Sequence, residues 1–275
     1  MRKIAALLSA LALAASLTAC GDKGGSGGAQ DNGSGGNGTP AAVNLAALAK
    51  SVGDRAAEQN TAHMVFTGGA GGMEVKGEGD IKVGADPAIT MDLQSPEGAM
   101  SMVLLDGVLY MKLPQELAPG KPWIKIDSSD KSNPIAQALG SLTDQMRKNA
   151  DPRQALEQFK DSGEITSTKQ ESLNGEQTTH YAVTVDVRKL ADSQTDPTLQ
   201  KALKEAIKAG LKDFPVNLWV NKDDLPVRMT VEMPTADPTS GKSVPVKIQV
   251  DYTDWGKPVN IQAPPADQVG QLPGK

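Results

Sequence analysis

The side chains in this sequence best suited to act as nucleophile, base or metal ligand are Cys20, the only cysteine, and the two histidines, His63 and His180. Metal sites and covalent catalysis draw on clusters of His, Cys and acid. Here the histidines lie far apart in sequence, each within an alternating strand pattern, and the carboxylates alternate with apolar residues as a solvated strand face requires. Two catalytic-looking matches occur, Gly24-Gly25-Ser26-Gly27-Gly28 for G-x-S-x-G and Gly33-Ser34-Gly35-Gly36-Asn37-Gly38 for G-x-G-x-x-G. Both need a strand before them and a helix after them, and neither has that setting. Gly241-Lys242-Ser243 likewise lacks a phosphate loop's first glycine, since Ala236 stands there. The expectation is a protein without catalytic residues, metal or cofactor, and not an enzyme.

Cys20 has a different chemistry open to it. Arg2 and Lys3 precede Ile4 to Leu17, a run of Ala, Leu and Ser without a charge. That run is too short to span a bilayer, which takes about 20 apolar residues, but it has the form of a secretory signal. Leu17-Thr18-Ala19-Cys20 resembles a lipobox, in which a diacylglyceryl group is added to the thiol and the cysteine becomes the mature N-terminus. Thiolate nucleophilicity suits cysteine to that step. Residues 1–19 read as a lipoprotein signal peptide, Cys20 as the lipidation site, and residues 20–40 as a flexible Gly-rich tether with an r.m.s. reach of roughly 25 Å. The expected location is the outer face of the cytoplasmic membrane, anchored there and not spanning it.

Removing residues 1–19 takes away Arg2 and Lys3 and no acid, moving the formal charge from −5 to −7. A mildly acidic chain without basic runs is a poor nucleic-acid binder. With its single thiol acylated, the chain forms no disulfide, so stability outside the cell must come from its core.

Residues 41–268 read as one domain, with 269–275 as a disordered tail. Leu45, Leu48, Val52 and Ala56 give a helix over 43–59 one apolar stripe to lay on a sheet. From Thr61 to Ile126 the period falls to two, in runs over 63–67, 73–83, 88–93, 99–105, 108–113 and 123–126, with Asp106-Gly107 the sharpest hairpin signal. Met100 to Leu105 is apolar on both faces, as in a covered central strand. Residues 132–159 return to helical spacing through Ile135, Leu139, Leu142 and Met146. A second strand set covers 164–173, 177–187, 216–220, 227–233 and 244–252, with Asn174-Gly175 as a type I′ turn and a helix opened by Asp196-Pro197. Sequential strands with short turns form antiparallel meanders.

Inward-pointing aliphatic and Met side chains are plentiful and aromatics scarce, which disfavours sugar-stacking or single-strand nucleic-acid platforms. Methionine adapts to irregular apolar shapes. The residues expected to line an acyl-chain cavity are Met91, Leu93, Met102, Leu104, Tyr110, Leu139, Leu142, Val183, Met229, Val231, Ile248 and Val250. The segments 132–159 and 196–211 would form a movable lid.

The stretches Leu218-Trp219-Val220-Asn221-Lys222-Asp223-Asp224-Leu225-Pro226-Val227-Arg228 and Tyr252-Thr253-Asp254-Trp255-Gly256-Lys257-Pro258-Val259, with Ala263-Pro264-Pro265 after them, carry a family resemblance. With the lipobox, tether and element order, the chain resembles the actinobacterial LppX/LprG/LprA/LprF envelope lipoproteins. That resemblance implies an α+β fold, a strongly curved antiparallel β half-barrel of LolA/LolB type with helices covering its concave face. It also implies a lipid or glycolipid ligand carried through the envelope, and brings no catalytic residues. The expected partners are that ligand, the membrane through the anchor and a membrane lipid exporter, with no nucleic acid. The alternative is a non-transporting sensor or scaffold of the same fold that binds another protein.

Overall fold

The apolar stripe of the first helical segment becomes α1 (Leu45–Gln59), which buries Leu45, Leu48, Ala49, Val52, Gly53 and Ala56. This computed structural model describes residues 44–70, 73–84, 86–115, 119–127, 159–194, 197–236 and 243–271. Asn44 caps α1 by accepting a 2.7 Å hydrogen bond from the Ala47 N–H, and Asn60 ends it in the left-handed region at φ 66°.

The two-residue periodicity yields β1 (Thr61–Ala70), β2 (Met73–Lys82), β3 (Ala88–Ser95), β4 (Gly98–Leu105), β5 (Val108–Lys112) and β6 (Trp123–Asp127). The second set comprises β7 (Gly163–Leu173), β8 (Glu176–Asp186), β9 (Asp213–Asn221), β10 (Pro226–Ala236), β11 (Ser243–Thr253) and the short β12 (Val269–Gln271). Helices α2 (Val187–Ser193) and α3 (Pro197–Lys208) lie between β8 and β9. Among the described residues the strands form one open sheet in the order β12-β6-β5-β4-β3-β2-β1-β11-β10-β9-β8-β7. The two meanders are therefore joined by β1 pairing with β11, antiparallel like every other pair except β12 with β6.

Both expected hairpin dipeptides occupy the positive-φ positions that such turns require: Asp106-Gly107 at 52° and 76°, Asn174-Gly175 at 52° and 86°. In β4, Met102, Val103 and Leu104 are all buried, as expected of a strand covered on both faces.

The structure corrects three expectations. Val187 does not continue β8: Asp186 ends the strand, and its Oδ1 accepts from the Arg188 and Lys189 amides at 2.8 and 3.0 Å, starting α2. An aspartate that can satisfy two free amides favours a helix start over strand continuation. Residues 269–271 are not part of a disordered tail, because they pair in parallel with Trp123 to Lys125 and close the β6 edge. Tyr110 does not share a face with the other proposed lining residues, as set out below.

Two apolar clusters lie on one sheet face. The first joins Met64, Phe66, Ile81, Leu93, Met102, Leu104, Leu109, Ile126 and Ile248 from the β1–β6 half and β11. In the second, α1 packs through Leu45, Leu48 and Val52 against Val183, Val185, Phe214, Val216 and Leu218. Full burial of side chains this size is worth roughly 1.5–3 kcal/mol each.

Of the two motif stretches that carried the family resemblance, the first holds α1 and the second ties the starts of β1 and β10. In the β9–β10 turn, Asn221 Oδ1 accepts from the Asp223 and Leu225 amides, both at 3.0 Å. That turn then accepts the Arg55 side chain on the Asp223 carbonyl at 3.1 Å and the Ser51 hydroxyl on Asp224 at 2.8 Å. At the other end, the Gly256 amide donates to the Thr61 carbonyl, and the Trp255 indole donates to the Pro226 carbonyl at 2.9 Å.

Candidate functional site

Register decides which side chains share the apolar face. Met91 opposes Met102, Ile89 opposes Leu104, and Leu93 opposes Met100. Met229 opposes Val250 and Leu218, while Val231 opposes Ile248 and Val216, which opposes Val183. Through β1 and β2 these two sets lie on the same face, since Met64 pairs with both Tyr252 and Gly79, and Gly79 pairs with Met91. That face thus carries Met91, Leu93, Met102, Leu104, Val183, Met229, Val231, Ile248 and Val250. Tyr110 pairs with Val103 and Lys125 and so points to the opposite face. It stands one residue out of phase with Leu109 and Met111, and a shift of one residue reverses the face. Leu139 and Leu142 lie outside the described residues.

Burial divides the face. Leu93, Met102, Leu104, Val183 and Ile248 are buried outright, whereas Met91, Met229, Val231 and Val250 are half-buried. Met100, Tyr181, Met233 and Tyr252 are half-buried too. Five of them, Met229, Val231, Met233, Val250 and Tyr252, lie on β10 and β11 where the two clusters meet, beside the buried Val246 and Ile248. Met229 and Val231 pack on the second cluster, Val250 and Tyr252 on the first, and Met233 on both. The candidate site is this seam on β10 and β11, an apolar strip at the centre of the sheet that is less tightly covered than either flank. Met233 and Tyr252 share the core-facing alternation of β10 and β11 but are not among the expected lining residues. Their spacing of two from Val250 and Val231 was the signal that could have found them.

Tyr252 reports on the local medium. It stacks on Trp255 with ring centroids 5.8 Å apart, and burial of its phenol pushes its pKa up to about 12. Burial, followed by the Asp224 carboxylate, raises Tyr181 as well. Because the unfolded chain ionises Tyr252 near the ordinary value of about 10 while the fold keeps the proton, this contribution to stability is complete below pH ~10. It is lost as pH climbs towards 12. In an alkaline absorbance titration, Tyr252 is expected to ionise only near pH 12 or with unfolding. Three tyrosines ionising together near their ordinary value in the folded protein would contradict a water-poor seam.

The opposite face is polar and internally paired. Arg228 and Asp251 lie 2.5 Å apart, Lys247 and Glu232 also 2.5 Å, and His63 Nδ1 lies 2.9 Å from Asp80. His180 stacks on Trp219 at 4.2 Å and lies 2.9 Å from Asn217 Oδ1. The Trp219 indole donates to Glu171 at 2.6 Å. That hydrogen bond, then Lys169, holds the Glu171 carboxyl below the usual carboxylate range. Each histidine is thus held against strand neighbours. Among the described residues no group of three His, Cys, Asp or Glu side chains is placed to hold a metal ion. Val65 and Met73 are their only exposed large apolar side chains. An open depression of about 400 Å³ along α3 is lined by Gln200, Lys201, Lys204, Glu205, Ile207 and Lys208.

The described strands thus form one open, mostly antiparallel sheet with an apolar face and a polar face, and α2 and α3 interrupt its second meander. The chain is 31% identical over 155 residues to an uncharacterised 31.2 kDa Streptomyces griseus protein encoded in the rplA–rplJ intergenic region. The match covers 54% of this chain and 48% of the relative, so the chain spans about half that relative's length. No protein-family model matches. In fold it is similar to LprF from Mycobacterium bovis, with a TM-score of 0.45, 14% identity, 80% of this chain and 96% of the other. It is also similar to MucB in complex with periplasmic MucA, with a TM-score of 0.37, 15% identity, and 81% and 59% coverage. A LolA-superfamily protein of Nitrosomonas europaea aligns with a TM-score of 0.24, 13% identity, and 75% and 91% coverage. No helix among the described residues is long and apolar enough to cross a membrane.

Proposed function

We propose that this protein is an envelope lipoprotein of the LppX/LprF kind, anchored through Cys20, that holds the acyl chains of a lipid or glycolipid against the β10–β11 seam. The helices would cover the concave side of a curved half-barrel, and the bound lipid would be carried through the envelope. The observation that carries this reading is the half-buried strip of Met229, Val231, Met233, Val250 and Tyr252 between two fully buried clusters. A bilayer already solvates acyl chains well, so a carrier need offer only a comparably apolar surface close to the membrane. Methionine at several seam positions suits ligands of variable shape.

The test is native mass spectrometry of the full chain carrying Cys20→Ser, which removes the covalent lipid. A non-covalent lipid adduct is expected, released by organic solvent. A chain that is lipid-free after purification and takes up none from mixed vesicles would overturn the reading. The protein-binding alternative asks for an exposed apolar patch; among the described residues the exposed large apolar side chains are Val65 and Met73.

A further inference from the structure

We infer that the outward face of α3 is a docking surface for the anionic leaflet in which the lipid anchor sits. This rests on the anchored-lipoprotein reading and adds an orientation to it. Lys201, Lys204 and Lys208 recur every three or four residues and are all exposed, which puts them on one side of the helix. Residues 197–212 hold four lysines and one glutamate, net +3, in a chain of net −5. Flanking them on α3, Leu203 and Ile207, with Leu211 beyond its end, pack on the second apolar cluster. The helix therefore cannot roll its lysines inward without exposing those three residues. α2 adds the exposed Arg188 and Lys189 beside it.

Four lysines of the sheet differ from these. Lys76, Lys125, Lys169 and Lys247 each lie within ion-pair distance of a glutamate or aspartate. Among the described residues, Lys201 and Lys204 have no carboxylate at that distance, and Lys204 donates to the neutral amide of Gln200. Only Lys208 is paired, with Glu205 at 2.8 Å. Leu45, which begins α1, lies against Gly163 and Val183, in the cluster that takes in Val187, Leu190, Leu203 and Ile207. Charges act on a membrane only within a Debye length, about 8–10 Å at physiological salt. The Gly-rich tether, with its reach of roughly 25 Å, keeps the domain near the membrane, and charge sets the orientation once a face comes within that range. The anchor supplies proximity, and the unneutralised lysines select which side faces the headgroups.

Flotation of the full chain carrying Cys20→Ser, on phosphatidylcholine vesicles with and without phosphatidylglycerol, tests this. Binding is expected to need phosphatidylglycerol and to vanish in high salt. Lys201→Gln/Lys204→Gln/Lys208→Gln should weaken it about 100-fold, from roughly fivefold for each lysine lost. Lys76→Gln/Lys169→Gln/Lys247→Gln removes the same charge and should leave it nearly unchanged. Equal losses in the two triple variants, or binding indifferent to phosphatidylglycerol, would overturn the inference. Circular dichroism confirms that both variants fold. Co-purified lipid measured on the same samples separates the two readings: a missing adduct sinks lipid carriage alone, and indifference of vesicle binding to the α3 lysines sinks docking alone.

Discussion

Replacing Gly79 with alanine is expected to destabilise the fold by about 3 kcal/mol, the upper end for overpacking a well-packed site. At a typical strand glycine the same change stabilises by roughly 0.5–1 kcal/mol, because alanine loses less backbone freedom. Here a Cβ would stand 1.9 Å from the Thr90 carbonyl oxygen and 2.8 Å from the Met91 Cα, both backbone atoms of β3. Backbone cannot swing aside as a side-chain tip can, so β2 and β3 would have to separate. Gly77, two residues earlier, is in the same position, with Leu93 Cδ2 at 2.5 Å and the Asp92 carbonyl at 2.6 Å from its missing Cβ. Glycines at alternate positions on one face mark a close approach or a tight bend in a sheet. Both lie on the apolar face, opposite Met91 and Leu93, so this is where β2 folds closely onto the wall that leads to the seam. The control is Gly107→Ala. It sits at φ 76° with nothing within 4 Å of its missing Cβ, so it should cost only the left-handed penalty of about 1–2 kcal/mol. At roughly 2–4 °C per kcal/mol for a domain of this size, thermal unfolding should show Gly79→Ala lowered by about 6–12 °C. A neutral or stabilising result would mean that the strands separate freely there.

What the sequence made legible follows the distance over which each feature is decided. The α1 stripe, the alternation within each strand and the Asp106-Gly107 and Asn174-Gly175 turns are local, and each appears where the pattern puts it. The end of β8 was misread because Val187 continues the alternation perfectly, while the decisive group, the Asp186 carboxylate, acts on amides that follow it. β12 was missed because its three residues carry almost no pattern of their own and are ordered by pairing with β6. Tyr110 stands one residue from both Leu109 and Met111, an odd offset that places it on the other face. The joining of β1 to β11 spans nearly the whole domain, and no local signal announces it. That pairing also aligns Met64, Phe66, Tyr252 and Val250 on one face and so completes the seam. The candidate lining could therefore be read as residue types from the sequence, but its division into buried flanks and a half-buried centre could not.

Substituting Met229 with tryptophan separates a packed core from a ligand surface, because the two make opposite expectations for the same change. In a core at native density the added volume costs about 1–3 kcal/mol. Along a strip occupied by acyl chains, the indole takes the ligand's place. Met229 is half-buried between Leu218 of β9 and Val250 of β11, so Met229→Trp should change unfolding stability by less than about 1 kcal/mol while removing most of the lipid adduct. Val250→Trp, across the ladder, should behave the same way. Leu104 shares the face but is 0% exposed, so Leu104→Trp should instead destabilise by about 3 kcal/mol, the cost of overpacking a filled site. The combination that identifies the seam is loss of lipid without loss of stability at residues 229 and 250, set against loss of stability at residue 104. If Met229→Trp unfolds the protein as readily as Leu104→Trp and the adduct on the surviving folded fraction is unchanged, the strip is ordinary core and the ligand lies elsewhere. Native mass spectrometry and thermal unfolding of the three variants read both quantities from the same preparations.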